Sequence, residues 1–357
     1  MKQPTNRREF IMTSAAVAGG LGLGIGPGAA QTPTRPRGGG PAAGQAPATP
    51  AAPLTFKTKP HKALIARPTE EELKRMKDAG FEGVEGSRNV LPEEAAKMRV
   101  VANKLGMRVH SVLYGWAEFN SRDQNEVDRT FVESQAALRT AEAFGAETVL
   151  LVPCRIGGGG GRRATEAPAL AIPRPWEFQI EFNEKNGHLT RVVYGDNARY
   201  ADYIKAHNHA TDTSAEAIKR LIPLAEKTKV VIALENVGNN LWVQPKFFRH
   251  FVESFRSPWV KAYFDIGNHV RFAPPEEWIL TLNSLIAKIH VKDYLLDPAD
   301  PNGRGKSVNI REGSVRWPVL RQALEAIDYN GWMTIESNDS ISFEERSRRL
   351  DLILAGQ

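Results

Sequence analysis

VVIALEN at residues 230–236 decides the reading of this chain. Its apolar run, β-branched at the start, suits a strand buried on both faces, as in a parallel sheet, and it closes on a carboxylate, Glu235. Three later runs share the form: KAYFDIGN (261–268) with Asp265, AKIHVKD (287–293) with His290, and GWMTIES (331–337) with Glu336. Intervals of 30, 25 and 46 residues separate the four polar residues. Each interval fits one strand–helix unit, the last one extended by an irregular loop at 295–315. A closed barrel of alternating strands and helices keeps its chemistry where the strands end. The expected fold is therefore α/β, a (β/α)8 TIM barrel, with the four residues on strands five to eight at one mouth.

The first half supplies the other four units. HKALIA (61–66) reads as a strand, and TEEELKRMKDAG as a helix with Thr69 and Glu72 in a capping box and Gly80 at its end. GFEGVEGS contains a second strand ending at Glu85, followed by a helix with Pro92 in its first turn. RVHSVLYGW (108–116) is a third strand, a helix runs from about 123 to 143 before Gly145, and ETVLLVPC (147–154) is the fourth strand. The rhythm then breaks. Residues 156–208 read as an insertion over the barrel mouth, opening with Gly157 to Gly161, Arg162 and Arg163 and carrying a β-hairpin with Asn186 and Gly187 in its turn. The glycine run lacks the Gly-Lys-Ser/Thr ending of a phosphate-binding loop. A helix beginning near SAEAIKRL leads back to VVIALEN.

Folding arguments start near Lys59. NRREFIM (6–12), followed by a weakly hydrophobic Gly/Ala-rich stretch, resembles a twin-arginine export signal with cleavage near Ala30, which implies a periplasmic protein. That stretch is broken by Gly and Pro, so stable membrane insertion is not expected. Residues 31–58 read as a disordered Pro/Ala/Gly tether. The net charge is +6, of which Lys2, Arg7 and Arg8 against Glu9 supply two. The remainder is spread along helices, which argues against nucleic acid as a partner. One cysteine, Cys154, excludes an intramolecular disulfide, and the oligomeric state, homo-oligomer included, is left open.

Three carboxylates gathered at one mouth cannot all ionise without a counter-charge. A dication resolves the repulsion. Three oxygen ligands and one nitrogen suit Mn2+ or Mg2+, with Co2+ or Zn2+ behind them, because structural zinc prefers sulfur or several histidines.

LENVGNN (234–240), FDIGN (264–268), IHVKD (289–293), REGSVRWPVL (311–320) and YNGWMTIES (329–337) together resemble the sugar phosphate isomerase/epimerase family with its xylose isomerase-like barrel. The resemblance runs from about residue 60 to the end, apart from the insertion. It implies Glu235, Asp265, His290 and Glu336 as ligands of one divalent metal, with Glu235 and Glu336 also acting as acid and base. In ketose epimerases of the family the position three after the aspartate is often a histidine that touches substrate; here it is Asn268, with His269 beside it. The family often has a substrate-binding arginine after strand seven, to which Arg304 or Arg311 corresponds. His110, Lys292, Trp116 and Trp242 are further candidates for the substrate pocket, and Glu85 for a place behind the metal ligands.

The implied activity is proton transfer on a ketose, aldose or related polyhydroxy carbonyl compound, through a metal-stabilised enediolate. Return of the proton gives an isomerase or epimerase. Elimination from a keto-sugar or keto-glycoside at the same site gives a lyase or hydratase, and a sugar-binding protein without turnover is a third reading. Endonuclease IV enzymes share the barrel, but their zinc cluster needs more histidines than His110 and His290 supply.

Overall fold

The computed structural model describes residues 55–157, 170–301, 303, 305–336 and 340–357. The expected export signal, the tether up to residue 54, the glycines at 158–161, Arg162, Arg163 and Arg304 lie outside them. Among the described residues no helix is long and apolar enough to cross a membrane.

The chain alternates strand and helix: β1 His61–Ile65, α1 Glu70–Asp78, β2 Gly83–Ser87, α2 Pro92–Lys104, β3 Arg108–Trp116, α3 Gln124–Phe144 and β4 Thr148–Val152. A small hairpin, β5 Glu181–Asn183 and β6 His188–Arg191, interrupts the alternation, which resumes with α4 Ala201–Thr228, β7 Val231–Glu235, α5 Pro245–Glu253, β8 Val260–Asp265, α6 Pro275–Leu282 and β9 Ile286–Val291. A second hairpin, β10 Asp293–Leu296 and β11 Gly305–Val308, precedes α7 Trp317–Ala326, β12 Trp332–Ile335 and α8 Phe343–Leu354. Eight of these strands close a parallel barrel in the order β1-β12-β9-β8-β7-β4-β3-β2. Their apolar runs are mostly buried, every residue of β4 and β12 completely so, because helices cover the outer face and side chains fill the interior.

Local signals set the helix ends. Thr69 accepts a hydrogen bond from the Glu72 amide to start α1, Asp123 from the Asn125 amide to start α3, and Ser342 from the Glu345 amide to start α8. Gly145 ends α3 in the left-handed region at φ 70°.

Four details differ from the sequence reading. The tether stops short of 58: Thr58 donates to Glu325 Oε2 through both its amide (3.1 Å) and its hydroxyl (2.6 Å). Helix α4 begins at Ala201, so its first two turns fall inside the segment read as insertion. Its buried residues there are Tyr203 and His207, and those that follow are Ala210, Thr211 and Ser214, polar enough to pass for loop. The loop at 295–315 contains most of a hairpin, with Tyr294 paired to Ser307. The insertion's own hairpin lies against the outer helices rather than over the mouth: the Leu189 amide donates to Asn208 Oδ1 (2.7 Å) on α4, and Phe182 stacks on Phe247 of α5. The stretch before it does reach toward the β10–β11 loop, where Trp176 packs so closely on Gly303 that a Cβ there would overlap the indole.

Candidate metal centre

Barrel register brings the four residues together. Glu235 and Asp265 are the last residues of β7 and β8, His290 is the last but one of β9, and Glu336 directly follows β12. Asp265 pairs with His290, and His290 with Thr334, two residues before Glu336. Each residue offers one ligand atom, and these atoms all lie within 4.8 Å of one another. Ligands on opposite sides of one Mg2+ or Mn2+ stand about 4.2 Å apart, so only a small contraction is needed.

The surrounding backbone orients these groups. Asp265 Oδ1 accepts from the amides of Gly267 (2.9 Å) and Asn268 (2.7 Å), which turns Oδ2 toward the other ligands. The Asn236 side chain pins the same aspartate, accepting from its amide at 2.7 Å and donating to its carbonyl at 2.9 Å. Asn268 Nδ2 donates to Glu235 Oε1 (3.2 Å). Behind the cluster His290 Nε2 lies 2.6 Å from Glu85 Oε2, and Ser111 Oγ donates to Glu85 Oε1 (2.8 Å). His290 Nδ1 therefore faces the carboxylates, 2.7 Å from Glu336 Oε2, 3.6 Å from Glu235 Oε1 and 3.9 Å from Asp265 Oδ2.

Asp265 Oδ2, His290 Nδ1 and Glu336 Oε2 are buried and make no hydrogen bond of good geometry. Lys292 Nζ stands 3.1 Å from both of those oxygens, close enough for ion pairing but poorly angled for hydrogen bonds. Buried ligand atoms that converge with no well-angled hydrogen-bond partner are what a cation site looks like, and the oxygen-rich set fits a hard dication. The charges bear on one another. Burial raises the Glu235 carboxyl to about 7, with the Glu336 charge adding to the effect and His290 opposing it. Burial also raises Asp265, against the pull of Lys292. For Glu336 the upward push of burial is outweighed by His290 and Lys292, which hold it at about 2. For His290 burial acts downward, but the charges of Glu85 and Glu336 carry it well above its ordinary value.

A cavity of about 400 Å³ opens from Glu336, lined by Gly238, Asn268, Arg271, Lys292, Tyr294 and Ser307. Of the residues expected at the substrate pocket, Asn268 and Lys292 line it. Five others lie elsewhere. His110 is buried in the barrel, stacked on Trp332 and bonded through Nε2 to Thr334 Oγ1 (3.0 Å). His269 turns back onto the Val237 carbonyl (2.9 Å) and is held neutral, near 3, by burial. Trp242 takes a positive φ of 45°, which sends its indole into the core against Phe251 (centroids 3.9 Å apart). Arg311 is exposed, and its backbone amide is what the structure uses, donating to Asp293 Oδ2 (3.0 Å). Trp116 packs at the top of the interior cluster of Leu150, Val152, Ala233 and Tyr263, beneath the Arg155 guanidinium. Arg271, Tyr294 and Ser307 are not among the expected pocket residues: Arg271 lies in a loop without periodicity, Tyr294 just past the His290 run, and Ser307 within the stretch expected to be an irregular loop. Ser111 was not legible either, because a register shift between Val84 and Glu85 sets it, rather than His110, opposite Glu85.

Over 142 residues the chain is 27% identical to SgbU of Escherichia coli (strain K12), assigned as an L-ribulose-5-phosphate 3-epimerase; the match covers 39% of this chain and 49% of SgbU. The chain thus spans about half the length of the curated relative it matches. The 3-keto-D-glucoside 4-epimerase YcjR from E. coli superposes with a TM-score of 0.58 at 13% identity, covering 83% of this chain and 99% of YcjR. A xylose isomerase-like TIM barrel protein from Mycobacterium smegmatis, in complex with magnesium, superposes at 0.56 with 16% identity, covering 84% and 96%. Identities this low carry the fold alone. The sequence model of the xylose isomerase-like TIM barrel family matches residues 73–352, and this chain belongs to that family.

Proposed function

We propose that the protein is a divalent-metal-dependent sugar isomerase or epimerase, acting by proton transfer beside the carbonyl of a ketose, an aldose or a related polyhydroxy compound. The observation that carries this reading is the convergence of Glu235, Asp265, His290 and Glu336 within 4.8 Å at the mouth of a cavity. The name given to SgbU supports the same class of substrate. A bound Mg2+ or Mn2+ would supply Lewis acidity to neighbouring substrate oxygens.

The protein's own groups do the rest. Glu235 and Glu336 rise from β7 and β12, which flank β8 and β9 in the barrel, so they approach a substrate from two sides. One carboxylate removes a proton from carbon and the other returns one, to the opposite face of that carbon or to its neighbour. Asn268 steadies Glu235 through its amide, and Lys292 holds Glu336 ionised.

Elimination from a keto-sugar or keto-glycoside is the second reading. Asn268 favours it, because where ketose epimerases often place histidine this chain has an amide spent on Glu235 Oε1 and the Asn236 carbonyl.

Incubation of the Mg2+- or Mn2+-loaded protein with ketoses, aldoses and 3-keto-glycosides in deuterated water tests both. Metal-dependent exchange of carbon-bound hydrogen, reduced about 10²–10⁴-fold in Glu235→Gln and Glu336→Gln, is the expected result. Release of an aglycone or of water would favour the lyase. Tight sugar binding with no exchange would defeat both readings. Export by the twin-arginine route belongs to the same proposal, and cell fractionation with and without the Arg7–Arg8 pair tests it.

A further inference from the structure

The cavity wall beyond the four-residue cluster has a chemistry of its own. Arg271 lies six residues past Asp265, and its guanidinium sits over the Phe272 ring, 5.0 Å from the centroid. Tyr294 and Ser307 are direct partners across the β10–β11 hairpin, and residues so paired project to the same face of a sheet. Both line the cavity together with Arg271. The Tyr294 hydroxyl accepts from the Gly305 amide (3.0 Å), which leaves its own hydrogen to donate elsewhere. Among the described lining residues the charged groups are Arg271, Lys292 and Glu336. Lys292 already faces Asp265 and Glu336, so the cation on the wall beyond the cluster is Arg271. A guanidinium with hydroxyl donors beside it matches a planar or tetrahedral oxyanion better than a neutral hydroxyl array.

We infer that Arg271, Tyr294 and Ser307 form an anion subsite, and that the substrate is an acidic sugar derivative, a polyhydroxy compound bearing a carboxylate or a phosphate ester away from the reacting carbonyl. This rests on the isomerase reading for the position of the reacting end. Carboxylate and phosphate share the recognising chemistry, so the test separates them.

The test uses the Mg2+-loaded protein and four probes: D-gluconate against D-glucitol for the carboxylate, and D-fructose 6-phosphate against D-fructose for the phosphate. Dissociation constants come from calorimetry, for the wild type, Arg271→Gln, Arg271→Lys and Ser307→Ala. At least one anion is expected to bind the wild type tenfold or more tightly than its neutral partner. That preference should weaken with added salt, disappear in Arg271→Gln and survive in part in Arg271→Lys. The better of the two anions names the source. Equal binding of neutral and anionic partners to the wild type overturns the subsite, as does a preference that persists in Arg271→Gln. If Arg271→Gln fails to fold, the wild-type comparison and the response of Ser307→Ala decide. Deuterium exchange, followed on D-fructose, D-fructose 6-phosphate and the ketose, aldose and 3-keto-glycoside set because gluconate and glucitol carry no carbonyl, keeps the two claims apart: exchange without anion preference removes the subsite alone, and anion preference without exchange on any of these carbonyl compounds removes the isomerase alone.

Discussion

Glu85 and His290 form a fully buried pair, with Oε2 and Nε2 2.6 Å apart on strands two and nine of the chain. A carboxylate behind a ligating imidazole fixes which ring nitrogen is free and makes it a better donor to the ion. Ser111 locks the other oxygen of Glu85, so the pair has little freedom. Glu85→Gln keeps the shape and removes the charge. Metal affinity in that variant is expected to fall about 10–100-fold, read by calorimetric titration with Mg2+ or Mn2+. An unchanged dissociation constant would reduce Glu85 to packing.

Lys292 is expected to compete with a bound dication for the same carboxylates. Its ammonium lies 3.1 Å from the Asp265 and Glu336 oxygens that face the cluster, and its stem crosses Gly267, where a Cβ would come within 3.1 Å of it. In the metal-free protein it supplies part of the missing positive charge. Lys292→Met should therefore tighten Mg2+ or Mn2+ binding by tenfold or more, since a unit charge a few ångströms away is worth at least about 1 kcal/mol even at high dielectric. The same change should lower the metal-free thermal midpoint, because three carboxylates lose their neighbour. Weaker metal binding in Lys292→Met would show that the lysine helps to assemble the site instead.

The four residues that converge at the barrel mouth were legible because each ends an apolar run, and strand parity leaves such residues little choice of direction. The barrel was legible for the same reason: its strands are buried on both faces and carry no competing pattern. Trp242 was not, because its direction depends on two left-handed residues: Asn240 at 62° is a residue type that takes this conformation readily, but nothing about Trp242 announces its own 45°. The start of α4 was hidden by a buried face of His207, Thr211 and Ser214, whose polar groups are satisfied only in three dimensions. Arg271 reaches the cavity from a loop, where sequence carries no period to read.

His207 predicts an acid weakness remote from the metal site. It is buried, burial holds it near 3, and its Nε2 accepts the Trp242 amide (3.2 Å), a bond that protonation would remove. Unfolded, the same ring takes up a proton near pH 6.5. Between about 6.5 and 3 the unfolded chain therefore binds one more proton than the native one. Stability is full above that window and falls as pH drops through it, by up to about 1.4 kcal/mol per pH unit. His207→Gln retains an acceptor and cannot titrate, so it should flatten the dependence by one proton. Urea unfolding at pH 7 and pH 5 measures this, and equal slopes in the two proteins would count against it.

Asp293 anchors the loop that carries Ser307. Its carboxylate accepts the amides of Tyr294 (2.8 Å), Arg311 (3.0 Å), Gly313 (2.9 Å) and Val315 (3.3 Å), and Trp317 Nε1 at 3.3 Å. Gly313 comes so near that a Cβ on it would lie 2.0 Å from Asp293 Oδ1. Asp293→Asn turns one acceptor into a donor facing backbone N–H groups, and Gly313→Ala pushes the carboxylate away. Each should cost about 2–4 kcal/mol, since charged hydrogen bonds are lost and buried donors are left unmet. Because Asp293 lies just past β9 and contributes nothing to the four-ligand cluster, metal affinity should hold while amide exchange across 305–315 speeds up and substrate binding weakens. Exchange in that segment as slow as in the wild type would mean that the loop is held by its hairpin alone.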